Sequence, residues 1–283
     1  MMRLDLFRTL WGYDRPWAEA IVELRAAGFD GIEARVPATA ADARARGRLL
    51  RDEGVPYIAT ILTGPGILPD QGAGIDAHLD DLRRKLDLAA PLAPRFVNIL
   101  GGNDRWGVAQ QVDFIGRAQD LCRAAGLAGC FETHRARILA GPWLTLEVIR
   151  QHPDMLLTTD ISHWVVVSER LLDDPMDDLS DFVARVHHVQ ARVGYDQGPQ
   201  VPHPADPAHA RDLAFHQAHW RDVWRSQAAR GYGVTTMTPE FGPDGYLHRQ
   251  PFTGTPVADL WGLNVWMGRA QRAQFARFLA GDR

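Results

Sequence analysis

Short apolar, β-rich runs alternate with longer amphipathic segments along the whole chain, and this alternation limits the possible folds more than any other feature. Eight runs read as strands: Arg3–Phe7, Gly31–Arg35, Tyr57–Leu62, Phe96–Leu100, Gly129–Thr133, Leu156–Asp160, His187–Ala191 and Thr235–Pro239. Helical patterns separate them. WAEAIVELRAAG begins at Trp17 and stops on a glycine, a common C-terminal signal. PWLTLEVIRQH opens on Pro142, a good first-turn residue. A closing helix is expected from about Val257 to Ala280. Strand–helix repetition with right-handed crossovers builds a parallel sheet. Eight such units in 283 residues match a closed (β/α)8 barrel, a fold that takes about 250 residues. An open doubly wound sheet would put a Gly-rich phosphate turn after the first strand. Here Arg8-Thr9-Leu10-Trp11 follows instead, without GxGxxG. No linker, low-complexity tract or internal repeat interrupts the pattern, so residues 1–283 are expected to form one α/β domain.

Charge and composition narrow the function. The chain carries 31 Lys+Arg against 35 Asp+Glu, a formal net charge of −4. That balance argues against general nucleic-acid binding. No apolar run reaches the roughly 18 residues of a membrane span, and the N-terminus lacks a signal-peptide pattern, so a cytoplasmic protein is expected. Cys122 and Cys130 form no CxxC pair, which excludes a cysteine-type zinc site. Lys85 is the only lysine and sits on a polar helix face in DDLRRKLDLAA. Schiff-base chemistry needs a desolvated lysine and is not expected.

Polar residues gather at the ends of the last four strands, where a barrel places its chemistry. CFETH offers Glu132 and His134, TTDISHW offers Asp160 and His163, VHHVQAR offers His188, Gln190 and Arg192, and TTMTPEF offers Glu240. Residues two apart on a strand share a face, which aligns His188, Gln190 and Arg192. Glu132, Asp160, Gln190 and Glu240 then form an oxygen-rich ring on four consecutive strands. Three converging carboxylates repel one another, and a divalent cation relieves that repulsion. The donor set points to Mn²⁺ or Mg²⁺, with Co²⁺ or Zn²⁺ as alternatives. His188 is the alternative third ligand, or a support behind the ligands. Arg192 is a fork donor for an anionic oxygen. Glu33, Asn98, Trp11, Trp164 and His248 are further candidates for the pocket wall. His216 and His219 have helical spacing and read as one face of an amphipathic helix.

The Glu132, Asp160 (in DISH), Gln190 (in HHVQ) and Glu240 (in TPEFGP) series resembles the metal quartet of the xylose isomerase-like TIM-barrel superfamily, which includes sugar phosphate isomerases and epimerases. The resemblance runs from FDGIEARVP (Phe29–Pro37) to TPEFGP. Many members carry His at the third position; Gln190 there resembles the hydroxypyruvate isomerase branch. The resemblance implies one divalent ion held by the quartet, Glu132 and Glu240 as the acid/base pair, and His163 beside a substrate oxygen. His134 is expected to face the same pocket. The implied activity is isomerisation or epimerisation of a sugar or sugar-like hydroxy-carbonyl compound through an enediolate.

The same ligand set serves a dehydratase or lyase of a polyol or ketose, which is the alternative reading. An endonuclease IV-like hydrolase fits less well, since strand-end histidines are few and the charge is negative. A non-catalytic binding barrel leaves the full ligand set unexplained. The partner is a small sugar or polyol, with neither nucleic acid nor membrane. No phosphate-cradling Gly loop stands out beyond the short GGND turn at Gly101–Asp104. Trp220 and Trp224 are compatible with a contact face in a homo-oligomer or with the core.

Overall fold

Strand runs such as YIATIL and VHHVQ are rich in β-branched and aromatic residues, which suit a pleated and buried surface. Their residues are mostly buried, as expected where helices cover one face of a parallel sheet and the barrel lumen the other. The computed structural model describes residues 2–64 and 66–281. Among these, β1 (Arg3–Thr9), β2 (Gly31–Arg35), β3 (Tyr57–Leu62), β4 (Val97–Leu100), β5 (Gly129–Glu132), β6 (Leu156–Thr159), β7 (Val186–Gln190) and β8 (Val234–Thr238) pair in parallel and close into a barrel in sequence order. The last pairing, Arg3 with Val234 through Leu6 with Met237, joins β8 to β1. The boundaries differ from the sequence-based ones by two residues at most, as where β1 runs to Thr9 rather than Phe7. The fold is a TIM barrel.

The helices are α1 (Trp17–Ala27), α2 (Ala40–Asp52), α3 (Ile75–Ala89), α4 (Val108–Ala124), α5 (Pro142–Ile149), α6 (Ile161–Val167), α7 (Ser180–Val183), α8 (Ala210–Ala229) and α9 (Leu260–Ala280). Caps account for several ends. Gly28 closes α1 at φ 78°, a left-handed conformation that glycine adopts without strain. The Thr39 hydroxyl accepts from the Asp42 amide at the start of α2. Asp259 does the same for α9 through Gly262, so that helix begins later than the Val257 expected from sequence.

Two apolar regions hold the barrel. The larger lies between strands and helices and includes Trp220 and Trp224, both fully buried. These tryptophans therefore belong to the core and not to a contact face. The smaller, Phe7, Ile58, Phe96 and Cys130, forms a separate buried cluster of strand and pre-strand side chains. No described helix is long and apolar enough to cross a membrane.

One local expectation fails. The strand expected to reach Asp160 ends at Thr159, and Asp160 instead caps α6, accepting from the Ser162 amide at 3.1 Å. His163 therefore sits in a helical first turn. Trp164 lies inside α6, fully buried, donating to the Leu139 carbonyl at 2.9 Å, so it walls no pocket.

Candidate active site

Parallel strands all end on the same side of a barrel, so their last residues converge there. Glu33 is the hub of the buried network. Its carboxylate accepts from Thr60 Oγ1 (3.2 Å), Asn98 Nδ2 (3.2 Å), Gln190 Nε2 (2.8 Å) and Thr238 Oγ1, and lies 3.2 Å from His188 Nε2. These partners come from β3, β4, β7 and β8, so the network crosses the lumen. Burial pushes the Glu33 carboxyl up, but His188, Thr238 and Asn98 outweigh burial and hold it below its usual range. His188 is committed at both nitrogens, Nδ1 meeting Thr236 Oγ1 at 2.8 Å.

Asn98 also donates to Glu132 Oε2 at 2.5 Å, linking this network to a second group. Donor atoms of Glu132, Asp160 and His163 lie within 4.8 Å of one another, and all three residues are buried. Arg192 binds Asp160, lies 3.6 Å from Glu240 Oε2 and donates to His163 Nε2 at 2.8 Å. Ser162 Oγ bridges Asp160 (2.5 Å) and Arg192 Nε (3.2 Å). The guanidinium lies 4.7 Å from the Tyr246 ring centroid and 5.8 Å from that of Trp11.

The charges here are unbalanced. Burial, then the charges of Glu240, Asp160 and Glu33, push the Glu132 carboxyl well above its usual range. Burial raises Asp160 against the opposing pull of Arg192. Burial carries Glu240 up to about 8, again against Arg192. One guanidinium does not neutralise three desolvated carboxylates. A divalent cation fits this donor set on a further observation: Gln190 Oε1 is buried and has no hydrogen-bond partner, while its Nε2 is spent on Glu33. Burial lowers the His134 ring to about 3 and takes His163 well below its usual value, so both rings are neutral at ordinary pH. Arg192 donates to His163 Nε2, which puts the ring proton on Nδ1, an atom without a partner.

A cavity of about 350 Å³ opens beside these groups. Glu33, Glu132, His134, Arg192, Glu240 and Trp11 line it. The side chain of Trp11 is placed by the last loop: its Nε1 donates to Asp244 at 2.6 Å, and its ring lies so close to Gly242 that any side chain there would collide with it. His248 does not reach the cavity. Its Nε2 meets the Gln200 carbonyl at 2.8 Å, and Gln200 Oε1 accepts from the Gly242 amide, so His248 braces the segment after β8 against the one after β7. His216 and His219 face inward from α8, to the Gly194 amide (3.2 Å) and Thr159 Oγ1 (2.9 Å).

The sequence reading did not single out Tyr246, Arg35 and Arg46, which also line the cavity. Tyr246 stands in the long segment between β8 and α9, where nothing in the sequence sets it apart. Nothing in the sequence distinguishes Arg46 from Arg44, Arg48 and Arg51 on the same helix.

The family model described as xylose isomerase-like TIM barrel matches residues 21–225. Among solved structures, an L-ribulose 3-epimerase is similar at 14% identity and TM-score 0.65, over 99% of this chain and 97% of that one. A xylose isomerase-like TIM barrel protein from Mycobacterium smegmatis, in complex with magnesium, is similar at 15% identity and TM-score 0.65, over 99% and 98%. The IOLI protein with a bound zinc atom is similar at 10% identity and TM-score 0.64, over 99% of each chain. No curated protein sequence matches the chain. At these identities the structures speak for the fold, and with the family match they establish that the chain belongs to the xylose isomerase-like TIM barrel family.

Proposed function

We propose that this protein is a divalent-metal-dependent isomerase or epimerase of a sugar or sugar-like hydroxy-carbonyl compound. The observation that carries the reading is the buried cluster of Glu132, Asp160 and His163, with donor atoms within 4.8 Å of one another, together with Glu240, whose charge raises the Glu132 carboxyl, and the buried, unpartnered Gln190 Oε1. Glu132 and Glu240 line a cavity of about 350 Å³. Glu132, Asp160, Gln190 and Glu240 would hold the ion; His163 lies within 4.8 Å of Glu132 and Asp160, but its Nε2 lone pair is taken by Arg192. Mn²⁺ or Mg²⁺ suits an oxygen-dominated set. Such an ion supplies Lewis-acid stabilisation of the negative charge that develops on substrate oxygen.

The chain's own residues account for the proton chemistry. Glu132 and Glu240 both line the cavity, from β5 and from the residue after Pro239 beyond β8. One carboxylate takes the proton from the carbon beside the carbonyl, and the other returns it on the opposite face or at the neighbouring carbon. Asn98 fixes Glu132 through one oxygen and leaves the other for the proton. Arg192 keeps Asp160 and Glu240 oriented. His134, neutral and lining the cavity, orients a substrate hydroxyl. Trp11 and Tyr246 cover the C–H face of the substrate and exclude water.

Exchange of substrate C–H for deuterium in D₂O tests this, with a panel of ketoses and hydroxy-carbonyl acids and with unsaturated product measured alongside. Glu132→Gln and Glu240→Gln should each lower exchange at least a hundredfold while the barrel stays folded by circular dichroism. Wild-type exchange in either variant, or full exchange after chelation with EDTA, would overturn the assignment. Net loss of water with formation of unsaturated product would instead favour a dehydratase.

A further inference from the structure

The cavity has two chemically different ends. Glu132, Asp160, Gln190 and Glu240 belong to β5 through β8 and the residues that follow them. Arg35 closes β2, which lies across the closed barrel from β6, and Arg46 comes from α2, the helix that follows β2. Both arginines line the same cavity as Glu132 and Glu240. A substrate whose reacting carbons sit among the carboxylates therefore extends towards these two guanidinium groups.

The state of the two arginines is what suggests a ligand. Of the other arginines near this rim, Arg8 and Arg15 bind Glu23 and Arg192 binds Asp160, while Arg135, without an ion pair among the described residues, lies over the Tyr246 ring and is not part of the cavity wall. Among the described residues, Arg35 and Arg46 make no ion pair and no side-chain hydrogen bond. The two acids on the cavity wall besides Glu132 and Glu240 are both engaged, Asp244 with the Trp11 indole and Glu33 with Thr60, Asn98, Gln190 and Thr238. Arg46 is nevertheless held in place, because its guanidinium lies 4.6 Å from the ring centroid of Trp17, itself packed on Tyr57. The GGND turn offers no competing anion cradle, since the Gly102 amide is bonded to Thr63 Oγ1 at 3.0 Å.

Resting on the isomerase/epimerase reading of this cavity, we propose that the substrate carries an anionic group, a carboxylate or a phosphate, at the end remote from its reacting carbon, and that Arg35 and Arg46 bind it. A guanidinium offers paired N–H donors matched to the oxygens of either group, and a partly enclosed site strengthens the bond. The anion also fixes the direction in which the substrate lies, so that its carbonyl end meets Glu132 and Glu240.

Three probes that differ only in one terminal group test the proposal: ribitol, D-ribonate and D-ribitol 5-phosphate. Their binding to the Mn²⁺-loaded protein is measured by calorimetry, for the wild type and for the Arg35→Gln/Arg46→Gln double variant. At least one anionic probe should bind tenfold or more tightly than ribitol, and which one does tells carboxylate from phosphate. The double variant should erase that preference. Equal binding of all three, no detectable binding of either anion, or a preference that survives in the double variant would each overturn the proposal. Mn²⁺ binding is titrated in the same experiment without a probe. Its absence from the wild type would count against the metal-dependent reading; the three probes are then compared on the metal-free protein, so the preference among them is read separately.

Discussion

Arg192 shows how one side chain can hold a charged site together. Its guanidinium is almost completely buried, with Asp160 and His163 bonded to it, Glu240 beside it and Tyr246 stacked near it. Burial alone would make it easier to deprotonate, but Asp160 and Glu240 outweigh burial and hold it charged. Removing one member of a buried pair strands the other, at a cost of about 3–5 kcal/mol. Arg192→Met should therefore lower the stability of the EDTA-treated protein by about that amount in urea titrations. Saturating Mn²⁺ should restore part of the loss in this variant, because the stranded carboxylates are the groups proposed to hold the ion. A loss below about 1 kcal/mol, the ordinary worth of an exposed pair, would show that Arg192 does not balance the carboxylates.

At the scale of elements, the cavity depends on segments that the strands do not order by themselves. Arg137 is fully buried between β5 and α5 and has no carboxylate partner among the described residues. Its guanidinium donates to the carbonyls of Thr63 (2.6 Å), Gly66 (2.6 Å), Ile67 (3.0 Å) and Gly102 (3.4 Å). It thus ties the segments after β3 and β4 to the one after β5, and Ile67 forms part of the cavity wall. Arg137→Met should leave these carbonyls unsatisfied and destabilise the protein by about 1–3 kcal/mol. Hydrogen exchange should quicken at the Gly64, Gly66 and Ile67 amides while the strand amides stay protected, and uniform exchange across the barrel would contradict the strap. The elements themselves were legible to different degrees. Strands and long helices announce themselves through periodicity and caps, as at Thr39, Pro142 and Gly28. Helix α6 did not, because ISHWVVV is full of β-branched residues that favour strands, and only the tertiary position of Asp160 turns the chain there. The polar candidates at the strand ends were readable because charge is conspicuous on an apolar strand. Arg46 and Tyr246 were not, since helix packing and loop path alone decide which polar side chain of a segment faces the cavity.

At the scale of the whole molecule, buried histidines and buried carboxylates act against each other as pH changes. His134, His163, His187, His216 and His219 are all held neutral by burial, with values from well below the usual range up to about 4. An unfolded chain protonates histidine near about 6.5. Below that pH it binds protons that the folded chain refuses, so this contribution to stability is lost as pH falls. Glu132, Asp160 and Glu240 are shifted upward, Glu240 to about 8, so in the metal-free protein the folded state takes up protons before the unfolded one does. Their contribution grows as pH falls from about 8 towards the unfolded carboxylate range near about 4. Between pH 8 and about 6.5 only the carboxylates act, and below that the more numerous histidines prevail. Stability of the EDTA-treated protein, measured by urea unfolding, should therefore peak near pH 6.5. The slope on either side should be about 1.4 kcal/mol per pH unit for each proton of imbalance. Saturating Mn²⁺ keeps the ligating carboxylates deprotonated in the folded state, so it should flatten or reverse the arm between pH 8 and 6.5 and leave the acid arm in place. Stability that climbs steadily down to pH 5 would mean that the histidines are not neutral in the folded protein. An alkaline arm unchanged by the ion would mean that the carboxylates do not hold it.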